Sequence, residues 1–161
     1  MQKLFTLFLF VSLFVVTYVN GQGIYNNGSY LIVPSGSDVR TVNFTNGSSG
    51  AVTLGGNIYT SGNWTNNKGS VLTLSSGTVI FNGSSTQLIT GNDRTDFNNL
   101  TVATGATVEV PASKHVNVNG SLTMTGSLTL LSSATSPTAS LIDAGSNTGS
   151  LTVKRHLTGG K

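Results

Sequence analysis

The stretch GTVIFNGSSTQLITGNDRTDFNNLTV, residues 77–102, decides the fold of this chain. It contains three short apolar runs, at Val79–Phe81, Leu88–Ile89 and Leu100–Val102, which are separated by Asn, Gly, Ser and Thr. Nothing between the runs has the spacing of an amphipathic helix. Short apolar runs bounded by such residues are typical of strands joined by turns, so the sequence predicts an all-β protein.

A threonine between two apolar residues recurs along the chain. The six triplets are centred on Thr53, Thr73, Thr101, Thr123, Thr129 and Thr152, at steps of 20, 28, 22, 6 and 23 residues. Most of these steps fall in the range of one solenoid coil. Side chains alternate along a strand, so stacked strands would bury the apolar neighbours of each threonine. We predict a right-handed parallel β-helix, or β-solenoid, of about six coils.

The apolar residues of these strands should line one interior. The predicted core residues are Leu72, Leu74, Val79, Phe81, Leu88, Leu100, Val102, Val108, Val110, Val116, Val118, Leu122, Met124, Leu128 and Leu130. Corners are expected at Gly55–Gly56, Asn66–Asn67, Asn82–Gly83, Asn92 and Asn119–Gly120, because Gly and Asn tolerate positive φ. The alternative is an antiparallel β-sandwich, in which Asn82–Gly83 and Asn119–Gly120 would be hairpin turns.

The first residues indicate export. Lys3 precedes an apolar run from Leu4 to Val19, which is shorter than the ~20 residues of a usual transmembrane helix. We predict a signal peptide over residues 1–21, cleaved before Gln22, and no membrane span after cleavage. N-terminal capping coils are expected over residues 22–54, and the solenoid repeat over residues 55–161.

Composition excludes several other classes of protein. The chain has no cysteine, so an exported form must be held together by packing and backbone hydrogen bonds. The formal net charge is only +3, and the charges are scattered as far as Lys154–His156. A nucleic-acid-binding protein would be expected to cluster its Lys and Arg, so we expect no nucleic-acid partner.

The sequence offers no catalytic arrangement. It has no G-x-S-x-G motif, and its two histidines, His115 and His156, are distant in sequence from each other and have no neighbouring metal ligands. His115 begins a predicted strand and, by alternation with Val116, should face solvent. We expect no catalytic residues, no enzyme activity and no cofactor.

Two candidate binding sites stand out, each with a structural alternative. Asn92, Asp93 and Asp96 could bind calcium or, in a carbohydrate-active β-helix, supply an acid pair; the alternative is a turn that caps its own backbone. Tyr59, Trp64 and Phe97 could stack on sugar rings; the alternative is that they fill the core.

Four motifs carry a resemblance to a known family. They are GNWTNN (62–67), GTVIFNG (77–83), TQLITG (86–91) and FNNLTV (97–102). In this order they resemble the repeat of large secreted surface proteins of Bacteroidota, over about residues 55–161. The resemblance implies a β-helical or adhesin-like stalk exported by the type IX secretion system. Such proteins generally end in a sorting domain, which this sequence lacks, so either the chain is the N-terminal piece of a longer protein or the type IX route does not apply. We favour the first interpretation.

The resulting hypothesis is a non-enzymatic, secreted or cell-surface β-solenoid that serves as a structural or adhesive module of a larger protein. Its expected partners are a polysaccharide or another cell surface. One alternative is a carbohydrate-active or carbohydrate-binding β-helix domain. Another is an ice-binding or crystal-surface-binding protein that uses the outward threonines.

Overall fold

The computed structural model describes residues 22–157, which contain nineteen strands and no helix. The strands are β1 (Ile24–Asn26), β2 (Tyr30–Val33), β3 (Asp38–Thr41), β4 (Phe44–Asn46), β5 (Ala51–Leu54), β6 (Asn57–Thr60), β7 (Trp64–Asn66), β8 (Leu72–Thr73), β9 (Thr78–Phe81), β10 (Thr86–Gly91), β11 (Thr95–Phe97), β12 (Asn99–Val102), β13 (Thr107–Val110), β14 (His115–Val118), β15 (Ser121–Met124), β16 (Ser127–Leu130), β17 (Ser140–Asp143), β18 (Ser146–Thr148) and β19 (Leu151–Val153). The predicted signal peptide, residues 1–21, lies outside the described residues. In the described part, no helix is present that could cross a membrane.

Every strand pair in residues 22–157 is parallel and joins strands three places apart in chain order. The sheets run β1-β4-β7-β10-β13-β16-β19, β3-β6-β9-β12-β15-β18, β8-β11-β14-β17 and β2-β5. Consecutive strands therefore lie on different sides, and the chain winds around one interior. This is a parallel β-helix of about six turns, as predicted. The antiparallel β-sandwich is wrong, because none of the described strands pairs with its neighbour in sequence as a hairpin would.

One turn of the winding takes about as many residues as the threonine spacing predicts. The shortest step between stacked residues is 19 residues, from Asp38 to Asn57. The longest is 25 residues, for example from His115 to Ser140. The strands of residues 22–54 join the same winding. Their assignment as capping coils, distinct from residues 55–161, stays a prediction.

The threonine-centred triplets occupy all three sides of the solenoid. Those centred on Thr101 and Thr123 stack in one sheet, and those centred on Thr129 and Thr152 stack in another. The first two triplets lie in β5 and β8, on the third side. The six-residue step from Thr123 to Thr129 is therefore a change of side and not a break in the repeat.

All of the predicted core residues except Leu88 are buried. In β10 the inward positions are those on either side of Leu88, which itself is half-buried on the outer face. Gln87 takes the inward position: its Nε2 donates to the carbonyl oxygens of Thr60 and Gly62, and its Oε1 accepts the N–H of Gly83. These hydrogen bonds satisfy the amide, so a polar side chain can occupy the core at low cost.

The corners follow a different rule from the one expected. Bends lie at Gly55–Gly56 and Asn119–Gly120 as predicted, but positive φ is found elsewhere, for example at Ser113 with φ 64°. At Gly83 the requirement is space, because a Cβ there would collide with the Ser61 carbonyl oxygen of the preceding coil. The explanation by positive φ was therefore wrong for these corners.

A ladder of three buried asparagines lines one inner corner. Asn26, Asn46 and Asn66 end β1, β4 and β7 in register. Asn26 Nδ2 donates to Asn46 Oδ1 at 3.0 Å, and Asn46 Nδ2 donates to the Gly50 carbonyl at 3.1 Å. Asn66 Nδ2 donates to the carbonyl of Arg94 at 2.8 Å. Asn66 thus holds the corner that carries residues 92–94.

The first sheet is offset sideways at β10. Ile89–Gly91 pairs with β7, whereas Thr86–Leu88 pairs with β13 of the next coil. Pro111 follows β13 directly and has no N–H, so it cannot extend this pairing along the second half of β10. The chain instead turns at Pro111, whose carbonyl accepts the N–H of Lys114 at 3.1 Å. A recess is left beside the end of β10.

Candidate functional site

Trp64 and Phe97 lie in the core. Both are fully buried. The Trp64 ring stacks on Phe44 with centroids 4.0 Å apart and meets Phe97 at 5.4 Å. Its indole N–H donates to Thr95 Oγ1 at 3.1 Å, so the one polar atom of the ring is satisfied. Neither side chain offers a face to a sugar, because inward strand positions fill the narrow interior with the largest rings.

Tyr59 is the predicted aromatic residue that reaches the surface. It lies on the outer side of β6 and is half-buried. The guanidinium of Arg40, in the neighbouring strand β3, sits over its ring at 4.1 Å from the centroid. This cation–π contact covers one face of Tyr59. The three predicted aromatic residues therefore do not form one platform.

Asn92, Asp93 and Asp96 lie close together along the chain, but the two carboxylates already have partners. Asp96 accepts two hydrogen bonds from Arg94, Nε–Oδ1 at 2.6 Å and Nη2–Oδ2 at 3.1 Å. Asp93 Oδ2 accepts the N–H of Gly69 at 2.7 Å. Calcium takes about six to eight oxygen ligands. Across residues 22–157 no three His, Cys, Asp or Glu side chains are grouped as metal ligands would be.

A cleft of about 70 Å³ opens at this corner, in the recess left by the offset of β10. It is lined by Ile89, Thr90, Asn92, Asp93, Arg94 and Thr95 from one coil and by Ser113, Lys114 and His115 from the next. A water molecule needs roughly 10–15 Å³ of such space. The cleft therefore has room for one or two substituents of a ring and not for a whole oligosaccharide.

His115 stands at the rim of the cleft and is exposed, as the alternation with Val116 predicts. Its Nδ1 lies 2.7 Å from Ser140 Oγ in the next coil. This contact fixes the ring and leaves Nε2 without a partner among residues 22–157. An exposed imidazole held in this way can exchange hydrogen bonds with a ligand in the cleft.

Lys114 and Ser113 were missed by the sequence reasoning. Lys114 Nζ has no carboxylate within 4.0 Å in the described part of the chain, where the ion pairs are Arg40–Asp38 and Arg94–Asp96. The available signal was Pro111, which ends a strand shortly before Lys114 and His115. Placing those side chains beside Asp93 also requires the strand register, which the sequence alone does not give.

Because comparisons with known proteins found no match, a role for this chain has to be argued from the geometry of this corner. No family model, curated protein or solved structure matches the chain. The resemblance to Bacteroidota surface proteins consequently stays a prediction from the four sequence motifs. The fold and the cleft are the observations on which a functional proposal can be built.

Proposed function

We propose that this chain is a non-enzymatic structural or adhesive module of a larger secreted or cell-surface protein. The supporting observation is the last turn of the solenoid. Leu151 stacks on Leu128 and Val153 stacks on Leu130, in the columns that form the core. Leu128 and Leu130 are buried, but Leu151 and Val153 are 38% and 47% exposed. A further coil of matching geometry would bury both.

The backbone at this end supports the same proposal. Within residues 22–157, strands β17, β18 and β19 each pair on one side only. Free strand edges next to exposed apolar residues favour association with another β-strand, and solenoids cover them with a cap or with further repeats. Continuation of the winding in a larger protein satisfies the edges and the apolar columns together.

The outer surface favours a structural role over a catalytic one. On the first sheet the outward positions stack Thr45, Thr65 and Thr90 in register. Such hydroxyl groups offer neutral hydrogen bonds and no activated nucleophile. The predicted signal peptide and the resemblance to surface stalks support a location outside the cell.

The ice-binding alternative is less well supported. Outward threonines lie on more than one side of the solenoid, with Thr45 and Thr65 on the first sheet and Thr101 and Thr123 on another. A flat crystal surface would contact one side at a time. Each side therefore offers a short column of threonines, whereas an ice-binding protein needs a broad, regular array of them on one side.

Antibodies against the purified chain test the proposal on cells of the source organism. We expect an antigen heavier than the 16.6 kDa of this chain, accessible to protease on intact cells and beginning at Gln22 by mass spectrometry. A cytosolic marker that survives the same protease treatment is the control. An antigen of 16.6 kDa or less, or one that is cleaved only after lysis, would contradict the proposal.

The carbohydrate-active alternative has its own test. The purified chain is incubated with a panel of polysaccharides, with and without calcium, and both reducing ends and unsaturated products are measured. We expect no turnover. Turnover that disappears in Asp93→Asn or Asp96→Asn, while circular dichroism shows the fold intact, would favour the enzyme instead.

A further inference from the structure

The corner cleft gathers charge on a surface that otherwise has little. Charged residues make up only 8% of the chain. Asp93, Arg94 and Lys114 nevertheless line one cleft, and Asp96 pairs with Arg94 beside it. Two adjacent coils supply these side chains, so the winding of the chain and not local sequence brings them together.

The polar atoms left without a protein partner at the cleft are mostly donors. Arg94 uses Nε and Nη2 on Asp96, which leaves Nη1. Lys114 Nζ has no carboxylate within 4.0 Å; His115 Nε2, a donor or an acceptor according to the tautomer of the ring, has no hydrogen bond within residues 22–157. On the acceptor side, Asp93 Oδ2 is used by Gly69, which leaves one carboxylate oxygen. The cleft therefore suits a ligand rich in acceptors that also carries a hydroxyl donor.

The rim is held in place before any ligand arrives. Ser113 N–H donates to the Pro137 carbonyl at 2.9 Å, and the Lys114 carbonyl accepts the N–H of Ser140 at 3.0 Å. On the opposite wall, the N–H of Asp93 donates to the Asn66 carbonyl at 3.0 Å. A backbone fixed in this way lowers the entropy lost on binding.

We propose that this cleft binds a carboxylated sugar, the uronic acid residue of an acidic polysaccharide. The sugar carboxylate accepts hydrogen bonds from Lys114 and Arg94, and an adjoining ring hydroxyl donates to Asp93. A neutral sugar would leave Lys114 without an anion, since Arg94 already pairs with Asp96, and a simple carboxylate would leave the second Asp93 oxygen without a donor. The volume of about 70 Å³ fits these substituents.

The affinity of one cleft should be low. The charges of Arg94 and Lys114 are offset by those of Asp93 and Asp96, so long-range attraction of an anion is weak. Useful attachment then depends on many copies displayed together. The inference therefore rests on the adhesive part of the proposed function and names its ligand class.

The test is an NMR titration of the purified chain with trigalacturonate, with maltotriose as the neutral trisaccharide. We expect shifts confined to residues 89–95 and 113–115, with a Kd in about the millimolar range. Lys114→Gln should weaken binding about tenfold, the loss of one charge-assisted contact. Lys154→Gln removes the same charge from an exposed residue outside the cleft and should leave the Kd unchanged.

Three results would overturn the inference: no shifts at the cleft, equal binding of maltotriose, or an equal loss in Lys114→Gln and Lys154→Gln. Unchanged melting of both variants establishes that the fold is intact. The antibody experiment, which tests the proposed function, measures the mass and surface location of the antigen independently of these results. Failure of the ligand assignment is thus separate from failure of the proposed function.

Discussion

The two ends of the solenoid leave their interiors covered to different extents. In the first turn, Val33 is 1% exposed, and Asn26 is 5% exposed because it bonds to Asn46 and to the Ala51 carbonyl. In the last turn, Leu151 and Val153 occupy core columns but are 38% and 47% exposed. An inward strand position therefore does not by itself ensure burial. In the first turn Val33 is buried although β2 pairs on one side only, whereas in the last turn Leu151 and Val153 stay open to solvent.

The largest effect is expected for a charge placed in the middle of the core. Leu100 is fully buried between Val79 and Leu122 of the adjacent coils. Leu100→Asp should unfold much of the solenoid, since an unpaired buried carboxylate costs more than about 4 kcal/mol. Chemical denaturation followed by circular dichroism measures this loss.

Thr101→Asp is the matched control, because this outward neighbour points to solvent from the same strand. Its unfolding free energy should change by no more than about 1 kcal/mol. Equal destabilisation by the two substitutions would refute the inward and outward assignment of β12.

A second experiment compares two stacked leucines of the core, one covered by the next coil and one in the uncovered last turn. Leu128→Ala, at 1% exposure, should cost about 2–5 kcal/mol through lost burial and a cavity. Leu151→Ala removes the same atoms one coil later, where solvent already reaches them, and should cost less than half as much. Urea denaturation of both variants provides the comparison, and similar losses would mean that the last turn is covered in solution.

The sequence predicts this fold well because its apolar residues recur with two regular spacings. Alternation within strands identifies inward residues such as Val108 and Val110, and recurrence at coil length identifies the stacking. The prediction fails at Leu88, since hydropathy favours leucine over Gln87 for the core. Only the carbonyl and N–H groups of neighbouring coils, which satisfy the Gln87 amide, reverse that preference.

The cleft was only partly predictable. Asp93 was identified from its place in a polar turn, but its neighbour Lys114 belongs to the next coil and has no local signature. The two meet because β10 is offset and Pro111 stops the pairing of β13. Trp64 was ambiguous for a related reason: composition cannot separate an outward aromatic residue from an inward one unless the strand register is known.

A smaller effect is expected where the covered end relies on hydrogen bonds. Asn46→Ala leaves Asn26 Nδ2 with the Ala51 carbonyl alone and removes the bond to Gly50. The unfolding free energy should fall by about 1–3 kcal/mol, the usual cost of leaving buried polar groups unpaired. Asn82→Ala, at an exposed corner, should change it by less than about 0.5 kcal/mol. Thermal melting measures both changes, and an equal fall in melting temperature for the two variants would argue that the asparagine ladder does not stabilise the fold.

The smallest effect tests the uncovered end directly. Val153→Thr keeps the shape of the side chain and adds a hydroxyl group, which solvent can hydrate at 47% exposure, so stability should change by less than about 0.5 kcal/mol. A second chain carries a copy of residues 131–153 directly after Val153, which repeats the step by which β19 follows β16. The added coil would cover Val153, and Val153→Thr should then cost about 1–3 kcal/mol, because the hydroxyl group is buried without an assured partner. If urea denaturation gives the same small change in both chains, the last turn does not accept a further coil, and the comparison of the two ends would lose its energetic basis.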